Sequence, residues 1–149
     1  MVTKPGPFFR ILIVEDDPDR LLVIQSWMPQ DVIVSNVTDA GVAMGQIKRD
    51  GKKRAYAGIM LDHDLQEQLK VASSMHLSGN DVVNVIISSI DKDIPILVHS
   101  MNPSEAAVMV RRLESAGFGV SRIPMSELTE KKMFEWLENA REIFEEWLE

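Results

Sequence analysis

The stretch Gly58-Ile59-Met60-Leu61-Asp62-His63-Asp64-Leu65 constrains this chain most. An apolar run stops abruptly in acid, imidazole, acid. The run is too short for a helix and has the length of a buried strand. Asp62 then stands where that strand leaves its sheet. In open parallel sheets, ligands bind beyond the carboxyl ends of the strands. Side chains alternate across a strand, so Asp62 and Asp64 share a face, with His63 opposite, if the strand persists. Two carboxylates projected together repel unless a cation or a shared proton compensates.

The remaining segments supply the sheet around that strand. Residues 1–7 carry prolines and a glycine and read as a loose, flexible lead-in. Phe8 to Val14 is apolar except for Arg10 and predicts a buried first strand. It ends in Glu15-Asp16-Asp17-Pro18, where Asp17 can cap a helix and Pro18 suits its first turn. Asp31 to Ser35 predicts a second strand. Thr38 or Asp39 caps a second helix, for which Gly51 is the expected left-handed stop. Residues 66–79 read as a long polar loop beside the strand end, of the kind that forms lids or binding loops. Gly79-Asn80-Asp81 opens a helix to about Ser89. Pro95 to His99 predicts the fourth strand, closing in His99-Ser100-Met101-Asn102-Pro103, and Ser104 is the expected cap of the next helix. Phe118 to Ile123 predicts the fifth strand, and Ser126 or Thr129 opens a last helix.

Strand and helix alternate five times. That pattern argues for one domain over residues 1–149, a three-layer α/β/α fold with a parallel sheet. The flavodoxin-like strand order 2-1-3-4-5 is the expected one. It makes the first and third strands neighbours, so the acidic tips at Glu15-Asp16 and Asp62-His63-Asp64 meet at the switch point. The chain has no cysteine, which removes disulfide and thiolate chemistry. Sixteen basic residues against 23 acidic ones give a net charge of −7, which argues against a long duplex nucleic acid as partner. No stretch has membrane-spanning length and no secretion signal is evident, so a cytoplasmic protein without membrane contact is expected.

With these motifs placed, Ile11-Leu12-Ile13-Val14-Glu15-Asp16-Asp17-Pro18-Asp19 resembles the opening of a response-regulator receiver domain. The resemblance implies that Glu15 and Asp16 bind magnesium and that Asp62 is the phosphoacceptor. It further implies that Asp64 gives the metal a backbone carbonyl and that Ser100 is the hydroxyl residue ending the fourth strand. The chain departs at the fifth strand, where receivers place lysine before proline and this sequence has Ile123-Pro124. A narrower branch is more similar. Leu61-Asp62-His63-Asp64-Leu65 and His99-Ser100-Met101-Asn102-Pro103 match the signatures of the cyclic-phosphate processing receiver domain, which is proposed to act on cyclic phosphates at RNA ends. That branch usually has an arginine soon after Asn-Pro. Here Ala106 and Val108 stand there, and Arg111 or Arg112 is the candidate substitute.

The residue types fit this chemistry, and each also has a plainer reading. Glu15, Asp16, Asp62 and Asp64 offer oxygen ligands to Mg2+ or another divalent metal; the alternative is helix capping and a solvated turn. Asp62 is either a nucleophile for a phosphoryl group or only a ligand. His63 and His99, at the ends of neighbouring strands, are an acid-base pair or neutral core histidines. Alternation sets His63 opposite Asp62 and His99 opposite Ser100, which places both imidazoles beneath the site. Ser100 and Asn102 can donate to phosphate oxygens, and Asn102 can instead cap a helix. His76 reads as a solvated loop residue. The last helix has more apolar residues than one stripe needs, so a homodimer contact through it is a candidate.

Three functions follow as expectations. One is a metal-assisted phosphoesterase on a phosphate-bearing small molecule or RNA end, with Asp62, His63 and His99 catalytic. The second is a stand-alone receiver phosphorylated on Asp62 by a partner kinase. The third is a degenerate receiver that binds another protein.

Overall fold

Ile11, Leu12, Ile13 and Val14 are wholly buried, so the strand that carries them needs cover on both faces. It is β1, Arg10–Val14. The computed structural model describes residues 8–65 and 77–149. The lead-in at 1–7, the loop over 66–76 and His76 lie outside the described residues. After β1 come α1 (Pro18–Ser26), β2 (Ile33–Val37), α2 (Ala40–Asp50), a 3-10 turn (Gly51–Lys53) and β3 (Gly58–Leu61). Then follow α3 (Gly79–Ser89), β4 (Ile96–Val98), α4 (Pro103–Ser115), β5 (Val120–Arg122) and α5 (Glu130–Leu148). The sheet is parallel throughout, in the order β2-β1-β3-β4-β5. This is the expected flavodoxin-like, three-layer arrangement.

Alternation along the central strands divides the core into two layers. Leu12, Val14, Ile59, Leu61, Ile96 and Val98 pack against Ala43 and Ile47 of α2, Val82 and Ile86 of α3, and Met109 and Leu113 of α4. Ile11, Ile13, Met60 and Leu97 turn the other way, onto Ile24 of α1 and Met133, Trp136, Leu137 and Ala140 of α5. No described helix is long and apolar enough to cross a membrane. On α5, Phe134, Trp147 and Leu148 remain exposed; the Arg54 guanidinium lies over the Trp147 ring at 4.6 Å.

Local chemistry sets the boundaries. Asp17 caps α1, accepting from the Asp19 and Arg20 amides at 2.9 and 3.1 Å. Asp39 caps α2 and Thr129 caps α5. Several expected details differ. The second strand runs two residues later than expected, because the Val32 amide bonds the Pro29 carbonyl and closes a turn there. Gly51 is not left-handed, with φ −59°. It is glycine because a Cβ would come within 2.8 Å of Ile90 Cδ1 and 2.9 Å of the Ser89 carbonyl oxygen. The left-handed residue is Arg54, φ 56°; Asp91 and Asp93 hold its guanidinium at 2.9 and 2.8 Å. The cap of α4 is Asn102 rather than Ser104, through its Oδ1 and the Glu105 amide at 3.2 Å.

Candidate metal and phosphate site

The strand register builds the site. Val14 of β1 pairs with Leu61 of β3, and Leu61 with Val98 of β4. The next residue on each strand is Glu15, Asp62 and His99. All three therefore stand in one row at the carboxyl ends, on the face that α1 and α5 cover. Backbone bonds extend the row. The Asp62 amide donates to Val14 at 3.1 Å, His99 to Leu61 at 3.2 Å, and Ile123 to Val98 at 3.0 Å. Ile123 is thus the fourth member, and it packs against the α1/α5 core layer. The expectation that both histidines lie beneath the site is corrected for His99, which shares its face with Asp62.

Glu15, Asp62 and His99 are buried, and their ligand atoms lie within 4.8 Å of one another. Glu15 uses both oxygens. Oε1 is 2.8 Å from His99 Nε2, and Oε2 accepts the Asp17 amide at 3.0 Å. Burial raises its pKa, but the His99 hydrogen bond and charge, the Asp17 amide and Arg20 outweigh burial and hold it below the usual range. Glu15 is therefore ionised at neutral pH and accepts the Nε2 proton. The other ring nitrogen, Nδ1, is buried with no hydrogen-bond partner. Asp62 is 1% exposed, yet neither of its oxygens accepts a hydrogen bond. Burial first, then the Glu15 charge, push its pKa up to about 6, against the opposing influence of His99, Arg20 and the His63 amide.

A buried carboxylate with open lone pairs beside a second carboxylate is costly unless something positive completes it. Arg20, which the sequence reading missed, supplies part of that charge. Its Nε lies 3.6 Å from Glu15 Oε2 and its Nη2 3.9 Å from Asp62 Oδ2. The donor set suits a divalent cation too. Its two carboxylates fit hard ions, and the imidazole nitrogen admits manganese, zinc or iron as well as magnesium.

The other expected residues sit around this cluster. Asp16 is half-buried and outside the group of three. The strand whose alternation would set Asp64 on Asp62's face ends at Leu61, and Asp64 Oδ1 lies 2.8 Å from His63 Nδ1. His63 Nε2 is 3.6 Å from Glu105 Oε2, which places its ring toward the start of α4. Ser100 is buried and its Oγ accepts the Asn102 amide at 3.1 Å. Asn102 is engaged as a cap. Arg112, a candidate substitute for the branch's arginine, is instead tied to Asn80 at 3.0 Å and to Asn84. Arg122 donates to the Ser100 carbonyl at 3.0 Å.

Arg20 left one signal in the sequence. A cation in the first turn of a helix opposes the helix dipole, so an arginine just after Asp17-Pro18 needs an acidic partner elsewhere.

Known structures share this architecture. The receiver domain of a sensor histidine kinase from Pseudomonas aeruginosa PAO1, with a magnesium ion coordinated in its active-site cleft, superposes with a TM-score of 0.65 at 20% identity, over 91% of this chain and 98% of that one. A CheY-like receiver domain protein from Methanospirillum hungatei JF-1 gives 0.64 at 17% identity, over 93% and 98%. The response regulator domain of Thermotoga maritima CheB gives 0.60 at 17% identity, over 91% and 96%. At these identities the likeness establishes the fold. No curated protein matches the chain significantly. The family model described as the cyclic-phosphate processing receiver domain matches residues 10–115, a span that runs from β1 through α4 and contains Glu15, Arg20, Asp62 and His99. By fold and by sequence, the chain belongs to the cyclic-phosphate processing receiver domain family.

Proposed function

We propose that this receiver domain is a metal-assisted phosphoesterase that opens cyclic phosphates on a nucleotide or an RNA end. The observation that carries the reading is Asp62, buried with both oxygens free of hydrogen bonds beside Glu15 and His99. Glu15 and Asp62 would hold Mg2+ or another divalent cation, with His99 within ligand distance. When bound, that ion supplies positive charge for the phosphoryl oxygens. Glu15 orients the His99 ring through Nε2, so Nδ1 is the atom that accepts a proton from water. His63, held between Asp64 and Glu105, is the candidate acid for the leaving alkoxide. The net charge of −7 favours a small substrate or a strand end over a long duplex.

Turnover of a 2′,3′-cyclic nucleotide tests the reading. The expected result is ring opening that stops on chelation and falls at least about 100-fold in His99→Ala. Absence of product above blank, across several divalent metals, would overturn it.

A second reading has support in the position of Asp62 at the tip of β3 with a guanidinium 3.9 Å away. There Asp62 accepts a phosphoryl group from a kinase or a small donor. It predicts a base-labile mass gain with acetyl phosphate, lost in Asp62→Asn. If neither chemistry occurs, a protein-binding receiver is what remains.

A further inference from the structure

Arg20 is a cation where helix electrostatics disfavours one. It lies in the first turn of α1, three residues after the cap Asp17. Its side chain nonetheless reaches back over the carboxyl ends of β1 and β3. Nε stands 3.6 Å from Glu15 Oε2 and 3.6 Å from Asp17 Oδ2, and Nη2 stands 3.9 Å from Asp62 Oδ2. None of these contacts has hydrogen-bond length, and the buried Nε donates no hydrogen bond. The guanidinium is attracted by three carboxylates and locked to none. Its side chain is 28% exposed, so it occupies the mouth of the site. In the row itself, the place beside His99 is filled by the apolar Ile123. Among the described residues, Arg20 alone of the arginines and lysines forms an ion pair with Glu15 or Asp62.

We propose that Arg20 does two jobs in turn: it is the resident counter-cation of Glu15 and Asp62 while the site lacks metal, and it binds the ligand's phosphate once metal has neutralised them. This inference rests on the divalent-cation reading above, not on cyclic-phosphate turnover. Glu15 and Asp62 would hold a divalent cation with the same carboxylates that attract the guanidinium. Two like charges a few ångströms apart repel, so a bound cation would free the Arg20 guanidinium from these carboxylates at the mouth. There its planar fork of donors matches two oxygens of a phosphate. Arg20 is thus a specificity residue for anionic ligands, beside a row whose member after β5 is the apolar Ile123.

Calorimetric titration of Mg2+ alone, and then of inorganic phosphate at saturating Mg2+, separates these jobs. Wild type, Arg20→Gln and Arg20→Lys are compared, with melting temperatures confirming that each is folded. Removing the charge in Arg20→Gln should tighten Mg2+ binding roughly tenfold and weaken phosphate binding roughly tenfold. Arg20→Lys keeps the charge without the fork, so its Mg2+ affinity stays near wild type while phosphate binding falls part of the way. A merely structural role moves both affinities down together. The proposal is overturned if Arg20→Gln binds Mg2+ no tighter than wild type, if its phosphate affinity is unchanged, or if no variant binds Mg2+. Turnover is not read, so an inactive but metal-binding protein would leave this inference standing and sink only the phosphoesterase reading.

Discussion

Asp62 sets the balance of charges at the site. Its folded-state pKa of about 6 lies above the ordinary 3.8, so the native state holds more protons than the unfolded state between those values. The stability this group contributes is fully present below pH 4 and is lost as pH rises through 6. Asparagine at this position never ionises. The stability of Asp62→Asn relative to wild type should therefore increase by on the order of 2 kcal/mol between pH 4 and pH 7.5, measured by denaturant unfolding without metal. A difference that stays flat across that range would mean Asp62 is not held in a desolvated, acid-rich setting. The residue types needed here were legible: Glu15 and Asp62 stand at strand ends, and an acidic pair needs a cation. Arg20 was not, because its role depends on which way one long side chain turns.

The elements act on the site through register and close approach. Each strand was visible as a short apolar run, but the run does not say which residue is the last one in the ladder. Expecting β3 to continue past Leu61 put Asp64 on Asp62's face. Pairing Ser100 with the site face put His99 beneath it. β3 ends at Leu61 and Asp64 meets His63, while the parallel register of Val14, Leu61 and Val98 sets His99 beside Asp62; that register is a property of three strands together.

The start of α3 is the other control. The Gly79 amide bonds the His63 carbonyl at 3.0 Å. A Cβ on Gly79 would fall 2.4 Å from the Asp62 carbonyl oxygen, 2.8 Å from His63 Cα and 3.0 Å from Met109 Cε. Alanine normally favours a helix by about 1 kcal/mol over glycine. Here the collision with backbone should reverse the sign, and Gly79→Ala should destabilise the fold by about 2 kcal/mol. It should also displace Asp62 and weaken metal binding. A Gly79→Ala protein as stable as wild type, by thermal or chemical unfolding, would show that the Asp62–His63 backbone has room to move.

At the scale of the whole molecule, the sheet order brings the acidic tips together and the two helix layers exclude water from them. The order 2-1-3-4-5 was legible from five strand–helix units, because right-handed crossovers leave few alternatives. What the pattern could not show was how dry the meeting point is. Glu15 and His99 are each 0% exposed, which turns two ordinary side chains into a tightly paired acid and imidazole. Gly58 shows how closely the second layer is drawn in. A Cβ there would meet Trp136 Cη2 at 2.8 Å and Ile11 Cδ1 at 3.1 Å, so α5 rests almost on the backbone of β3.

Whether this buried, acid-rich corner takes up a divalent cation is read directly by calorimetric titration of Mg2+ or Mn2+ at pH 7.5 into wild type and Asp62→Asn. The predicted result is one saturable site in wild type, weakened at least about tenfold in Asp62→Asn. Equal binding by the two proteins, or none by wild type, would contradict it.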